Sequence, residues 1–209
     1  MRLFLSSYRF GDYGDLLLEL LGEDTAIGAI TNAKDYKTPE ERTESVRELF
    51  ASLQELGLQP HEINLRPFFG QPDFLRAELE KYTAVWLAGG NSFVLRRALK
   101  ASGGDELLRE LVVNDKLLYC GESAGAVMAT PTLQGVEFGD DPDVVPEGYP
   151  DEDLWDGLGF VPYSIVPHYE SDWEGYERMI EVLEEDNIPY KTLNDHQVIV
   201  VSDDEEERL

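Results

Sequence analysis

The chain has 209 residues, enough for one domain with a substantial core. Its 43 acidic and 17 basic residues give a net charge of -26, which disfavours nucleic acid and anionic membranes as partners. No apolar run approaches membrane-spanning length, and the single cysteine, Cys120, excludes an internal disulfide or a cysteine metal cluster. Only six of the basic residues are lysine. Low lysine with abundant Asp and Glu suits a high-salt medium, where counterions screen self-repulsion. The opening "MRLFLSSYRF" lacks the basic and apolar regions of a signal peptide, so a soluble, cytoplasmic protein is expected.

Taken in chain order, "LFLSS" (3–7) reads as a buried strand and "DLLLELLG" (15–22) as a helix stopped by glycine. "AIGAITNA" (26–33) reads as a second strand. Residues 38–57 carry strong helix signals: Thr38 as cap, Pro39 in the first turn, and acids after it. Val46, Leu49, Phe50, Leu53 and Leu56 recur at helical spacing, and Gly57 is the expected stop. Strands are then expected at 61–68, 84–88, 116–120, 163–169, 190–193 and 197–201. Helices are expected at 72–82, 94–102, 105–113, from Ala124, and at 173–186. Residues 131–158 read as a long acidic loop, and "SDDEEERL" (202–209) as a frayed tail.

Strands alternating with helices predict an α/β fold: three layers, with a mainly parallel sheet covered by helices on both faces. No repeat or linker divides the chain, so residues 1–209 are expected to form a single domain. In such sheets the site lies beyond the carboxyl ends of the strands. Gly89-Gly90-Asn91, Ser123 and His168 all fall there.

"GESAG" (121–125) fits G-x-S-x-G, a turn that exposes a nucleophilic serine between strand and helix. The amide of Ala124, next after the serine, is placed to donate to an oxyanion. The bland reading is a tight junction with a capping serine. Cys120 closes the preceding apolar run and reads as a buried structural thiol. In "WLAGGNSF" (86–93), the glycines let backbone approach the site, and Gly90 N–H is the candidate second oxyanion donor. The competing reading is a glycine turn with Asn91 or Ser92 capping a helix. Ser123 needs a base, and the chain has His61, His168 and His196. His168, at a strand end after "SIVP", is the choice. Asp195 is the candidate carboxylate to orient it, with Glu170 and Asp172 nearer in sequence.

Together, "AGGNSF", "GESAGA" and "VPHY" resemble three segments of the aspartyl dipeptidase (dipeptidase E) and cyanophycinase family of serine peptidases. Ala88 stands where that family's first segment begins with glycine. The resemblance covers most of the chain, in the same order and spacing. It implies a class I glutamine-amidotransferase-like fold and an acyl-enzyme mechanism with Ser123, His168 and the amides of Gly90 and Ala124. The implied third acid maps to Asp195, with Asp140 as the other placement. No metal or organic cofactor is required, and the implied substrate is a small peptide, above all a dipeptide with N-terminal aspartate. Asn91 and Arg178 are the candidate substrate-binding residues, Arg178 as a cation for the aspartate side chain. Its bland reading is a surface arginine paired with acids. Residues 137–156 read as a lid or, more simply, as a solvated loop, and their acids lack the spacing of a calcium loop.

Two other functions share parts of this pattern. An α/β-hydrolase esterase would pair Ser123 with His196 and an acid such as Asp156. A non-catalytic binding protein would keep the fold and the turn without the chemistry. Oligomeric state is not written in this sequence.

Overall fold

The structure is a computed structural model that describes residues 1–172, 175–202 and 205–209. Its main sheet has seven strands: β1 (Leu3–Ser6), β2 (Ala26–Ile30), β3 (Gln59–Glu62), β4 (Ala84–Leu87), β5 (Leu118–Glu122), β8 (Val198–Ser202) and β9 (Glu205–Arg208). Their order across the sheet is β3-β2-β4-β5-β1-β8-β9. The first five are mutually parallel; β8 pairs antiparallel with β1, and β9 antiparallel with β8. A second, parallel pair joins β6 (Ser164–Val166) to β7 (Tyr190–Thr192).

The parallel strands are short apolar runs because both of their faces are covered. Side chains alternate along them. Phe4, Trp86, Leu118 and Cys120 pack with Leu17 of α1 (Gly14–Leu21) and Leu49 and Leu53 of α2 (Pro39–Glu55). Leu3, Leu5, Val85, Leu87 and Tyr119 face the opposite layer. That layer contains α3 (Pro72–Leu79), α4 (Ser92–Ser102), α5 (Gly104–Val113), α6 (Ala124–Val127) and α7 (Gly175–Glu185). The expected arrangement of a mostly parallel sheet between helical layers is therefore what forms. Thr38 caps α2 in a reciprocal capping box with Glu41, satisfying two amides that the helix leaves open.

Two segments differ most from the sequence expectation. The strand expected at 61–68 is β3, at 59–62, followed by a 3-10 turn at Arg66–Phe68. Leu65 N–H donates to Asn32 Oδ1 at 3.0 Å rather than to a neighbouring strand, and Pro67 then sits in the turn, where no ladder N–H is needed. The tail expected to fray instead forms β9, although Asp203 and Asp204 lie outside the described residues. Glu206 pairs with Lys191 and accepts from Tyr163 Oη at 2.8 Å, and Leu209 exchanges two backbone bonds with Val198. These ties outweigh the repulsion among its acids. The helix expected at 173–186 is α7, and Trp173 and Glu174 at its start lie outside the described residues.

The segment 131–158 is irregular and most of its acids are exposed, as expected of a solvated loop, but arginines also anchor it. Buried Arg96 donates to the Asp156 carbonyl at 2.8 Å and to its carboxylate at 2.9 Å. Buried Arg97 donates to the Pro142 carbonyl at 2.9 Å, and Arg109 to the Gly157 carbonyl at 2.8 Å. Tyr149, within the segment, is buried and donates to Asp35. Among the described residues, no helix is long and apolar enough to cross a membrane.

The acidic surface generates a stability prediction. Screening of a net charge of -26 should raise the thermal midpoint by about 5 °C or more between dilute buffer and molar KCl, corresponding to ~1–2 kcal/mol. Differential scanning calorimetry checks it; an equal or higher midpoint in dilute buffer contradicts adaptation to salt.

Candidate active site

The site gathers where strands end. Ser7 follows β1, Gly89 and Gly90 follow β4, and Ser123 follows β5. His168 comes two residues after β6, and Asp195 three after β7. Main sheet and small pair thus deliver their carboxyl ends to one place, as open α/β sheets do.

Ser123 has φ +51° and ψ -109°, a conformation that L-residues rarely adopt. Its N–H donates to the Ser6 carbonyl at 2.9 Å, and its carbonyl accepts from Val127 N–H at 2.8 Å. The strand is thereby turned sharply into α6, which is a single turn. The turn needs a bare backbone behind it. A Cβ on Gly125 would lie 2.1 Å from the Leu87 carbonyl oxygen, so β4 and α6 touch only because glycine is there. Gly90 has φ +146°, and a Cβ on it would lie 2.3 Å from the Ala33 carbonyl oxygen.

Ser123 Oγ is 3.0 Å from His168 Nε2, and His168 Nδ1 is 2.7 Å from Asp195 Oδ1. With Nδ1–H donating to the carboxylate, Nε2 is left with its lone pair toward the serine hydroxyl. The structure thus brings together Ser123, His168 and Asp195. Asp140, the other placement for the acid, accepts from Ser92 N–H at 2.8 Å. Burial pushes its carboxyl up from the usual range, while the Ser92 hydroxyl and N–H, and His168, act to lower it.

A cavity of about 260 Å³ opens beside the serine. Gly90, Ser92, Ser123, Ala124, Asp140 and His168 supply polar lining, with Val127, Val136, Pro167 and Met179 around them. Both expected oxyanion residues, Gly90 and Ala124, are therefore at the same cavity as Ser123. Asn91 is not among the lining residues: its Oδ1 accepts from Val94 N–H at 2.9 Å, capping α4, and its Nδ2 donates to the Asp141 carbonyl. Arg178 is exposed, pairs with Glu181 and stands 5.4 Å over the Phe138 ring. It also lies outside the lining, although Met179 beside it and Gly139 beside Phe138 belong to it.

Sequence reasoning missed Ser7. Its Oγ accepts from the backbone N–H of His168 at 2.7 Å and donates to Asp195 Oδ1 at 2.8 Å. One hydroxyl thus fixes both base and acid. The only local signal was a serine just past a central strand. Also missed was the partner of Glu122, the buried second residue of "GESAG". Arg9 donates to it from Nη1 at 3.2 and 3.3 Å and from its backbone N–H at 3.2 Å. This pair fastens the loop after β1 to the serine turn. Lys34 lies near it, its pKa lowered by burial and raised by Glu122. Among the described residues, no group of three or more His, Cys, Asp or Glu is arranged to hold a metal ion.

The esterase arrangement does not assemble. His196 is exposed and its Nδ1 meets Asp12 at 3.2 Å, while Asp156 is bound by Arg96. Cys120 is fully buried, and burial pushes its thiol far up, away from reactivity.

A strained serine hydrogen-bonded to a histidine that a carboxylate orients, on a mostly parallel α/β sheet, defines a serine-type hydrolase. The sequence profile described as Peptidase family S51 matches residues 8–209. The chain belongs to this family of serine peptidases. It is 30% identical over 159 residues to an uncharacterized peptidase of Listeria innocua, covering 74% of this chain and 71% of that protein. It is 35% identical over 112 residues to a probable alpha-aspartyl dipeptidase of Drosophila melanogaster, covering 54% of this chain and 43% of the relative. The fold is similar to the crystal structure of a Listeria monocytogenes EGD-e protein provisionally named peptidase E. That match has a TM-score of 0.77 at 25% identity and covers 100% of this chain and 97% of the other.

Two substitutions probe this geometry. Gly125→Ala should cost ~2 kcal/mol or more, because the new Cβ meets backbone that cannot give way; urea unfolding measures it. Ser7→Ala should lower kcat about tenfold with the circular dichroism spectrum unchanged, since it frees both His168 and Asp195.

Proposed function

We propose that this serine peptidase hydrolyses dipeptides, with N-terminal aspartate preferred, through an acyl-enzyme. The observation that carries the reading is the continuous hydrogen-bonded line from Ser123 Oγ through His168 to Asp195. Ser123 Oγ attacks the peptide carbonyl as His168 Nε2 takes its proton. The N–H groups of Gly90 and Ala124 hold the oxyanion that forms. His168 then protonates the leaving amine, and the C–N bond breaks. Water, deprotonated by the same imidazole, attacks the ester and releases the amino acid. Asp195 keeps the imidazole in the required tautomer and favours its charged form throughout.

The aspartate preference is supported by the name of the Drosophila relative and by Arg178 at the edge of the cavity. In this reading Arg178 leaves Glu181 to pair with the substrate carboxylate. Asn91 contributes by fixing the start of α4, and so Gly90, rather than by direct contact. The reading also takes residues 1–209 as one unit of the glutamine-amidotransferase-like class, acting on small peptides in the cytoplasm and not on nucleic acid. The net charge of -26 and the lone buried thiol are compatible with it.

A panel of Asp-X, Glu-X and neutral X-X dipeptides, with β-aspartyl-arginine included, tests the proposal. The expected result is kcat/KM for Asp-X at least about tenfold above the others, and a loss of about 10⁴-fold in Ser123→Ala. Arg178→Ala should raise KM for Asp-X by about tenfold or more and leave neutral dipeptides unaffected. Equal cleavage of all dipeptides contradicts the aspartate preference, and an active Ser123→Ala contradicts the mechanism.

A further inference from the structure

One carboxylate in the cavity has no part in the mechanism above. Asp140 lines it together with Ser123, and the turn at Val136–Phe138 fixes its backbone through Asp140 N–H to the Val136 carbonyl at 2.9 Å. One of its oxygens, Oδ2, accepts from Ser92 N–H at 2.8 Å. Ser92 is itself buried and lines the same cavity, and its Oγ meets no partner in good hydrogen-bond geometry among the described residues. Burial raises the Asp140 carboxyl pKa, and the neighbouring Ser92 hydroxyl acts against that rise. The cavity thus contains a carboxylate oxygen and a hydroxyl side by side, in a lining with no lysine or arginine. Such a pair suits a cation with several N–H donors.

A peptide with a free N-terminus supplies one at a fixed place. In the N-terminal residue, the ammonium nitrogen is one Cα away from the carbonyl that Ser123 attacks, a separation of about 2.5 Å. Any group that holds it must share the nucleophile's cavity. We propose that Asp140, with Ser92 Oγ, is the subsite for the substrate's α-ammonium group and restricts the enzyme to peptides whose scissile bond follows the first residue. This deepens the function proposed above and rests on it. Asp140 then serves two partners, one oxygen bracing the first turn of α4 and the other receiving the substrate. Gly90 lies two residues before Ser92, so a bound ammonium also sits in register with the oxyanion donors.

The probes are matched p-nitroanilides of aspartate and alanine, each with its amino group free or N-acetylated. Asp140→Asn keeps an oxygen to accept from Ser92 N–H and removes the charge. Wild type should favour the free-amine form of each pair by about 100-fold in kcat/KM. Asp140→Asn should lose about 30-fold on the free amines, mainly in KM, and change less than about threefold on the acetylated forms. Ser92→Ala should show a smaller loss, about threefold to tenfold, on the free amines alone. An unchanged preference in both variants, an equal fall on free and acetylated substrates, or no wild-type preference overturns the proposal. The preference is a ratio within each pair, so a failure of aspartate selectivity shows separately, as equal turnover of the two free amines.

Discussion

The backbone of Ser123 is the constraint on which the site depends. A φ of +51° at a non-glycine residue costs about 1–3 kcal/mol and persists only where its surroundings leave no alternative. Here the surroundings are the three central strands. β5 lies between β1 and β4, and the Ser6 carbonyl takes the Ser123 amide as the ladder ends. The Leu87 carbonyl of β4 then presses against Gly125, so the chain can only turn upward into α6. Burial of both faces of these strands stabilises the sheet enough to hold the strained serine in place.

The rest of the machinery reaches the serine from a separate, weaker frame. His168 and Asp195 hang from the short β6–β7 pair, which contributes only three residues per strand. Ile165, Val166 and Leu193 pack into the core shared with Leu5, Leu87 and Tyr119, and polar contacts then fix the two frames together at the site. Ser7, at the end of β1, binds the His168 backbone and the Asp195 carboxylate, while Arg9 from the same loop grips Glu122 beside the nucleophile. The loop after β1 is therefore a strut between the nucleophile and its base. Removing Arg9 would leave a buried carboxylate unpaired, which is costly near a site that tolerates little displacement.

The parts visible in the sequence were those whose physics is local. The glycines of "GESAG" and "AGGNSF" advertise close backbone approach, and "VPHY" sets a histidine at a strand end. The helix over 39–55 was legible because Thr38, Pro39 and Glu41 form its start within four residues. Asp195 was visible only as one acid among several, because its selection depends on how β7 lies against β6. Ser7 and the Arg9–Glu122 pair were not legible, since their partners are more than 100 residues away. β9 was hidden for a related reason: four exposed, mostly acidic residues look like a tail until Lys191, Tyr163 and Val198 are placed beside them. The same holds for 131–158, whose anchoring arginines come from α4 and α5.

A hydrogen-bonded Ser–His–Asp line implies that one serine in the chain is far more nucleophilic than the rest and that His168 makes it so. Labelling with a fluorophosphonate, followed by mass spectrometry of the digested protein, reads this directly. The expected result is stoichiometric modification of Ser123 alone in the wild type, and a fall in labelling rate of about 10³-fold or more in His168→Ala. Modification of a different serine, or labelling of Ser123 at the same rate without His168, would contradict it.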